Sequence, residues 1–302
     1  MNKQPDFTKI NWNDLKYFLA LKRQGRLCLA SKKIGCSHVS IANRIAALEE
    51  CMSTKLFYQN SRGFHLTKAG EKLVPYAEKC ERELRLAMEV YRQEQKIRSK
   101  IRIGVTEGIG NYFIATRLAS WIKDKDIDIE LISLPSLTTI TAGEVDISIT
   151  LGPQKGYNII QQRLTPYKIG IYASRDYAAN NPPIIGVEDL LQHYFIGYIE
   201  EHVFSEDLRY HEEISPNLQI VYKSTTIHTQ RLSIETGLGL GLLPHYVAHG
   251  NPNLVHLLPD IQFKREYWIS SGTDLHQFKD LKITWDFIMS TAAESKTTFL
   301  PS

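Results

Sequence analysis

Residues 26–66 read RLCLASKKIGCSHVSIANRIAALEECMSTKLFYQNSRGFHL, and the architecture follows from where that stretch divides. The division is Ile34-Gly35-Cys36-Ser37. Before it, Leu27, Ala30 and Ile34 recur at helical spacing; after it, Ile41, Ile45 and Leu48 do the same. Gly35 suits the left-handed conformation that ends a helix, and Ser37 is a good N-cap for the next one. Two short amphipathic helices about a tight glycine turn form a helix-turn-helix. The second helix sets His38, Ser40, Asn43 and Arg44 away from its apolar stripe. Donor-rich side chains of this kind reach phosphates and base edges in a major groove. The plainer account of the same pattern is a surface helix in an all-α bundle.

The residues downstream of the turn narrow the choice. Leu48-Glu49, Leu56-Phe57 and Leu66-Thr67-Lys68-Ala69-Gly70 arrive at fixed distances from it. Together with Ala30, Gly35, Ser37 and Ile45, they make this head resemble that of the LysR-type transcriptional regulators. Where that family usually carries Ser, Ala, Ser, Arg, Gly and Arg, this chain has Arg26, Leu29, Ala42, Asn43, Ser53 and Gln59. Arg26 keeps a phosphate donor at the start of the motif. Ala42 and Asn43 alter the reading face, and Gln59 removes a charge near the wing. The resemblance implies dimerisation through a linker helix and a two-lobed, periplasmic-binding-protein-like effector domain.

Charge agrees with a polyanion at one end. Residues 1–100 carry 20 Lys+Arg against 10 Asp+Glu, leaving 16 of 36 cations and 23 of 33 anions to the rest. A basic head on an acidic body fits nucleic acid at the head only. The four cysteines (Cys28, Cys36, Cys51, Cys80) form no CxxC pair, so zinc ligation is not expected, and they read as small buried or half-buried thiols in a reducing cytoplasm. The polar segment 1–11 is no signal peptide, and no apolar run reaches a membrane span. A cytoplasmic protein that makes no membrane contact is expected.

Along the chain, Asn11 or Asn13 can cap a first helix bearing Leu15, Phe18, Leu19 and Leu21. Residues 58–66 read as a wing, with Arg62 and His65 placed for the DNA backbone. Leu73, Ala77, Cys80, Leu84, Ala87 and Tyr91 then keep a heptad rhythm suited to pairing with a second copy. A helix over 71–98 would be about 42 Å long. From Ile101, strand and helix alternate as in a doubly wound α/β sheet. The expected organisation is a winged helix-turn-helix domain of all-α type at 1–66, a linker helix at 67–100, and a two-lobed α/β effector region at 101–302. Lobe I comprises 101–167 and 268–302, and lobe II comprises 168–267.

In open α/β sheets, ligands bind beyond the carboxyl ends of the strands. That rule selects Thr106, Gly108, Asn111, Ser136, Thr150, Tyr198, Thr225, Thr226 and His228. Hydroxyls and helix N-termini there favour a small carboxylate or a similarly polar metabolite, although Ser and Thr at such points also serve as plain helix caps. Gly237, Gly239 and Gly241 come after a helix and run into Leu-Leu-Pro, which is the wrong context for a dinucleotide fingerprint. There is no nucleophile elbow, HExxH or P-loop, so neither an enzyme nor a cofactor is expected. The sequence therefore reads as a DNA-binding transcriptional regulator. Arg26, Lys32, Ser37 and Arg62 would hold phosphates, and His38, Ser40, Asn43 and Arg44 would read bases. Its partners would be duplex DNA, a small-molecule effector, one or three further copies of itself and RNA polymerase. The alternative is a metabolite-binding protein whose basic head is only a pairing module.

Overall fold

The computed structural model describes residues 10–94, 98–133, 145–154, 158–203 and 205–301. It divides into two compact units, Met1–Ile97 and Arg98–Ser302.

The first unit opens with α1 (Trp12–Gln24), whose N-cap Asn11 accepts a hydrogen bond from the Asn13 N–H. Then come α2 (Leu27–Ile34) and α3 (His38–Cys51). Gly35 between them stands at φ 78°, and the Ser37 side chain accepts the Ser40 N–H at 3.0 Å. Beyond α3 an antiparallel hairpin, β1 (Phe57–Asn60) and β2 (Gly63–Leu66), makes the wing, so the head is helical with a two-stranded addition. Phe18, Leu19, Leu21, Ala30, Ile41, Leu48 and Leu56 close its core. Cys28, exposed, does not meet the expectation of a buried or half-buried thiol.

Glu49, buried, joins helix to wing: its carboxylate accepts the N–H groups of Leu56 at 2.8 Å and Phe57 at 3.1 Å and pairs with Lys55 at 2.6 Å. Thr67 performs the same service on the far side. Its hydroxyl donates to the Lys55 carbonyl at 2.6 Å and accepts the Gly70 N–H at 3.1 Å. A Cβ at Gly70 would sit 2.2 Å from the Leu56 carbonyl oxygen, so only glycine fits.

Helix α4 (Lys68–Glu94) divides the expected heptad seam in two. Leu73 and Ala77 face the head and join its core, while Leu84 and Tyr91 are each 67% exposed, as is Met88, outside the expected seam, at 73%. Lys22–Glu78 at 2.9 Å and the two-pronged Arg23–Glu81 pair at 2.9 and 2.5 Å fix the first turns of α4 to α1. The start of the seam therefore covers the back of its own head, and only the later turns are unpartnered.

The second unit begins with β3 (Ser99–Val105), α5 (Glu107–Ile109) and α6 (Ala115–Trp121), the two helices joined by a π-helical turn at Gly110–Ile114. The glycine-bearing stretch after the first strand is thus helical from Glu107 onward. Next come β4 (Ile127–Ser133), β5 (Ile147–Thr150), β6 (Ile159–Ser174), α7 (Arg175–Asn180), β7 (Tyr194–Tyr198), α8 (Tyr210–Ile214) and β8 (Gln219–Ser224). The chain continues through α9 (Ile227–Glu235), β9 (Leu240–Pro244), α10 (His245–Ala248), β10 (Leu254–Leu257), β11 (Phe263–Gly272), α11 (Lys279–Glu294) and α12 (Lys296–Phe299).

The nine strands form one sheet in the order β4-β3-β5-β11-β6-β9-β7-β8, with β10 also on β6. The β3–β4, β3–β5, β7–β8 and β7–β9 pairs are parallel, and the long antiparallel pair β6–β11 runs between the lobes. β11 pairs with β5 over Trp268–Ser271, β6 pairs with β9 over Ile169–Tyr172, and the β6–β11 register shifts between Tyr267 and Trp268. Gly239 and Gly241 serve packing, since a Cβ on Gly239 would meet the Tyr194 carbonyl oxygen at 2.3 Å and one on Gly241 the Ile234 side chain at 2.3 Å, while Gly237 turns the chain at φ 79°. Among the described residues no helix is long and apolar enough to cross a membrane.

Candidate functional site

In the helix-turn-helix, Ile41, Ile45, Leu48 and Glu49 are buried, which turns His38, Val39, Ser40, Ala42 and Asn43 outward as one exposed strip. Arg26 and Lys32, on or beside α2, and Arg62, at the wing tip, are exposed on the same unit. Ser37 and Ser40 share a hydroxyl–hydroxyl contact of 2.8 Å, so both are engaged at the helix start. Arg44 is half-buried and pairs with Asp14 at 3.4 Å. Asp14 itself is 3% exposed, and burial raises its pKa against the opposing pull of Arg44. The Arg44 guanidinium is thus steered from behind, a partner that the α3 pattern alone does not reveal.

At the wing, Asn60 Oδ1 accepts the Arg62 N–H at 2.8 Å and contacts His65 Nε2 at 3.1 Å. His65 stacks on Tyr58, with ring centres 5.5 Å apart. These contacts shape the hairpin tip that carries the Arg62 side chain.

The second unit holds a cavity of about 320 Å³ between the lobes. Of the residues expected there, Thr106, Gly108, Tyr198, Thr225 and Thr226 line it. Thr150 is buried outside the lining, its hydroxyl donating to the Gly152 carbonyl at 2.7 Å. Asn111 and His228 also stand outside: Asn111 donates to Glu107 Oε1 at 2.7 Å, and His228 Nδ1 meets the Tyr112 hydroxyl at 2.7 Å. Ser136 lies outside the described residues.

The strand-end rule missed the aromatic wall. Tyr167, Tyr210, Tyr246 and Tyr267 line the cavity together with Tyr198. Tyr167 stacks on Tyr267 with ring centres 4.6 Å apart, and the Tyr246 and Tyr267 hydroxyls share a 2.7 Å hydrogen bond. Burial drives the Tyr167, Tyr198, Tyr210 and Tyr246 hydroxyls far above their ordinary pKa and Tyr267 to about 12, so all five stay neutral. Tyr167 and Tyr267 sit in the two crossing strands and read in sequence as ordinary strand aromatics. Only the pairing of β6 with β11 brings them together.

Glu107 was also missed. It comes directly after Thr106, the N-cap residue of α5, and reaches across to lobe II, where its Oε2 accepts the Ile227 N–H at 2.9 Å at the start of α9. Burial raises its pKa, and the backbone N–H groups of Ile227 and His228 oppose that rise. Beside it the buried Thr106 hydroxyl has no hydrogen-bond partner of normal geometry, although it lies against the Tyr267 hydroxyl. Among the described residues no group of three or more His, Cys, Asp and Glu side chains could hold a metal.

Two family models match this chain: "Bacterial regulatory helix-turn-helix protein, lysR family" over residues 12–71, and "LysR substrate binding domain" over residues 94–293. Among curated relatives, the HTH-type transcriptional regulator YofA of Bacillus subtilis (strain 168) is 24% identical over 289 residues, covering 89% of this chain and 98% of its own. Among solved structures, ArgP from Mycobacterium tuberculosis superposes with a TM-score of 0.67 at 14% identity, covering 94% of this chain and 98% of that one. Full-length LysG from Corynebacterium glutamicum, solved with bound effector Arg, gives 0.64 at 19% identity, covering 94% and 99%. The first model falls on the helix-turn-helix unit and the second on the α/β unit that holds the cavity: the chain belongs to the LysR family of DNA-binding transcriptional regulators, which are not enzymes.

Proposed function

We propose that α3 lies in the major groove of duplex DNA, with Val39, Asn43 and Arg44 toward base edges and His38 and Ser40 beside them. Arg26, Lys32 and Arg62 hold phosphates on either side, and Ser37 sets the start of the reading helix. The observation that carries this reading is the exposed 38–43 strip flanked by those three cations on the unit that holds the chain's positive excess. Two copies pair through the exposed later turns of α4, and two such pairs could form a tetramer. The cavity between the lobes receives a small-molecule effector, as befits a relative of LysG, which carries Arg as its effector. Effector binding shifts the balance between arrangements it distinguishes and so alters promoter contact and the recruitment of RNA polymerase in the cytoplasm.

The test is duplex selection from a random pool with the full-length protein, and then anisotropy titrations across a salt series. Asn43→Ala should weaken the selected site by about 1–3 kcal/mol and leave random duplex untouched, because base contacts discriminate. Lys32→Ala should weaken all duplexes alike and reduce the salt slope by about one. An unselected pool with no salt dependence would instead favour a metabolite-binding protein with a pairing head.

A further inference from the structure

The cavity's charge is one-sided. Its lining contains Glu107 and the imidazole of His202, with no lysine or arginine among the described residues. Two guanidinium groups of the same unit are already engaged: Arg231 with Glu235 at 2.6 Å, and Arg265 with Glu213 and Asp207.

Among the described residues, the helix start best suited to an anion beside the cavity is filled by the protein itself. The first backbone N–H of α9 would ordinarily receive a ligand carboxylate, but it already donates to Glu107 from the other lobe. A second carboxylate there would meet a like charge in a half-buried setting. Glu107 keeps acceptor capacity beyond its bonds to Ile227 and Asn111, since two carboxylate oxygens offer about four lone-pair sites. Around it stand five neutral tyrosines, whose ring faces attract cations, and the buried Thr106 hydroxyl, which lies against the Tyr267 hydroxyl.

We propose that the cleft selects an organic cation, an ammonium or amidinium on a compact apolar body, with Glu107 meeting the charge and the tyrosine wall enclosing the body. This narrows the effector reading of the cleft and rests on it. It reverses the carboxylate preference that helix N-termini and hydroxyls suggest in the sequence. Glu107 already links the lobes through Ile227, so a cation bound there would sit at the seam between them.

Calorimetry on the full-length protein at neutral pH tests the charge directly with probes of one body: 2-phenylethylamine, benzamidine, 3-phenylpropionate and 2-phenylethanol. The two cations should bind at least tenfold more tightly than the carboxylate, a preference read on the wild-type protein without any variant. Glu107→Gln, which keeps an acceptor for the Ile227 N–H, should remove that preference. Equal or tighter carboxylate binding would overturn the cation assignment and leave the effector cleft standing. Unchanged amine affinity in the Gln variant would overturn it as well. Failure of every probe to bind the wild-type protein at millimolar concentration would take down both the assignment and the cleft reading beneath it.

Discussion

Ser53, just past α3, stands at φ 52°, in the left-handed region that side chains with a Cβ enter at a cost of roughly 1–2 kcal/mol. It is held there by its position: its N–H donates to the Glu50 carbonyl at 3.0 Å, and the Thr54 N–H reaches back to the Glu49 carbonyl at 3.1 Å. LysR-type heads usually carry glycine at this place. Ser53→Gly should therefore raise the stability of the head by about 0.5–1 kcal/mol, the relieved strain being partly offset by the greater freedom of glycine in the unfolded chain. Urea unfolding of the head, monitored by helical circular dichroism, reads this; a fall in midpoint would show that the Ser53 side chain makes a contact worth more than the strain. The neighbouring Glu49 shows the opposite use of one residue. Its buried carboxylate satisfies two wing N–H groups, so the Leu-Glu pair that marks the family in sequence is a fastening between α3 and the wing.

At the scale of elements, α4 carries two different jobs on one heptad rhythm. Its first turns are consumed by the head, whereas Leu84, Met88 and Tyr91 have no apolar cover within their own unit. Burying three such side chains per copy is worth on the order of 1.5–3 kcal/mol each. Leu84→Asp with Met88→Asp should therefore weaken self-association at least a hundredfold in analytical ultracentrifugation, since about 1.4 kcal/mol corresponds to each tenfold. The helical signal of the head should be unchanged, and an unaltered dissociation constant would remove this seam as the pairing surface. The heptad spacing was legible because period and charge flanks are local properties. That Leu73 and Ala77 belong to the head was not legible, because it depends on where α1 lies. The same division holds in the second unit. The α/β alternation and the positions of Thr106, Tyr198 and Thr226 stem from strand-then-helix order. Tyr167 and Tyr267 are 100 residues apart and meet only through the register of β6 with β11. Glu107 was not legible because the three-residue α5 and the π-helical turn that continues it have no periodic signal of their own.

At the scale of the whole molecule, the buried histidines set how the second unit answers to acid. His211 is 7% exposed with its Nε2 at 3.2 Å from the Ile196 carbonyl, and burial lowers its pKa to about 4. His245 is 5% exposed, bonded to the Tyr172 hydroxyl and packed edge-on against His256; burial and the nearby charges of His256 and Lys168 bring it to about 4 as well. Both are neutral in the folded protein, whereas in the unfolded chain they protonate near the ordinary value of 6.5. The unfolded state therefore takes up protons first as the pH drops. Their contribution to stability is complete above about pH 6.5 and is lost between about 6.5 and 4, at up to roughly 3 kcal/mol for His211. Glu107 works in the other direction: its raised pKa means that the folded state binds a proton before the unfolded one does, so acidification through its range relieves the cost of a buried charge. Three of the four tryptophans, Trp121, Trp268 and Trp285, lie in the second unit, so urea midpoints read by tryptophan fluorescence report mainly on it. Those midpoints should be level from pH 8 to 7 and fall steadily from 6.5 to 4.5. His211→Gln, which retains a donor for the Ile196 carbonyl, should make that acid limb shallower. A limb of the same steepness in the variant would mean that protonation elsewhere governs acid unfolding.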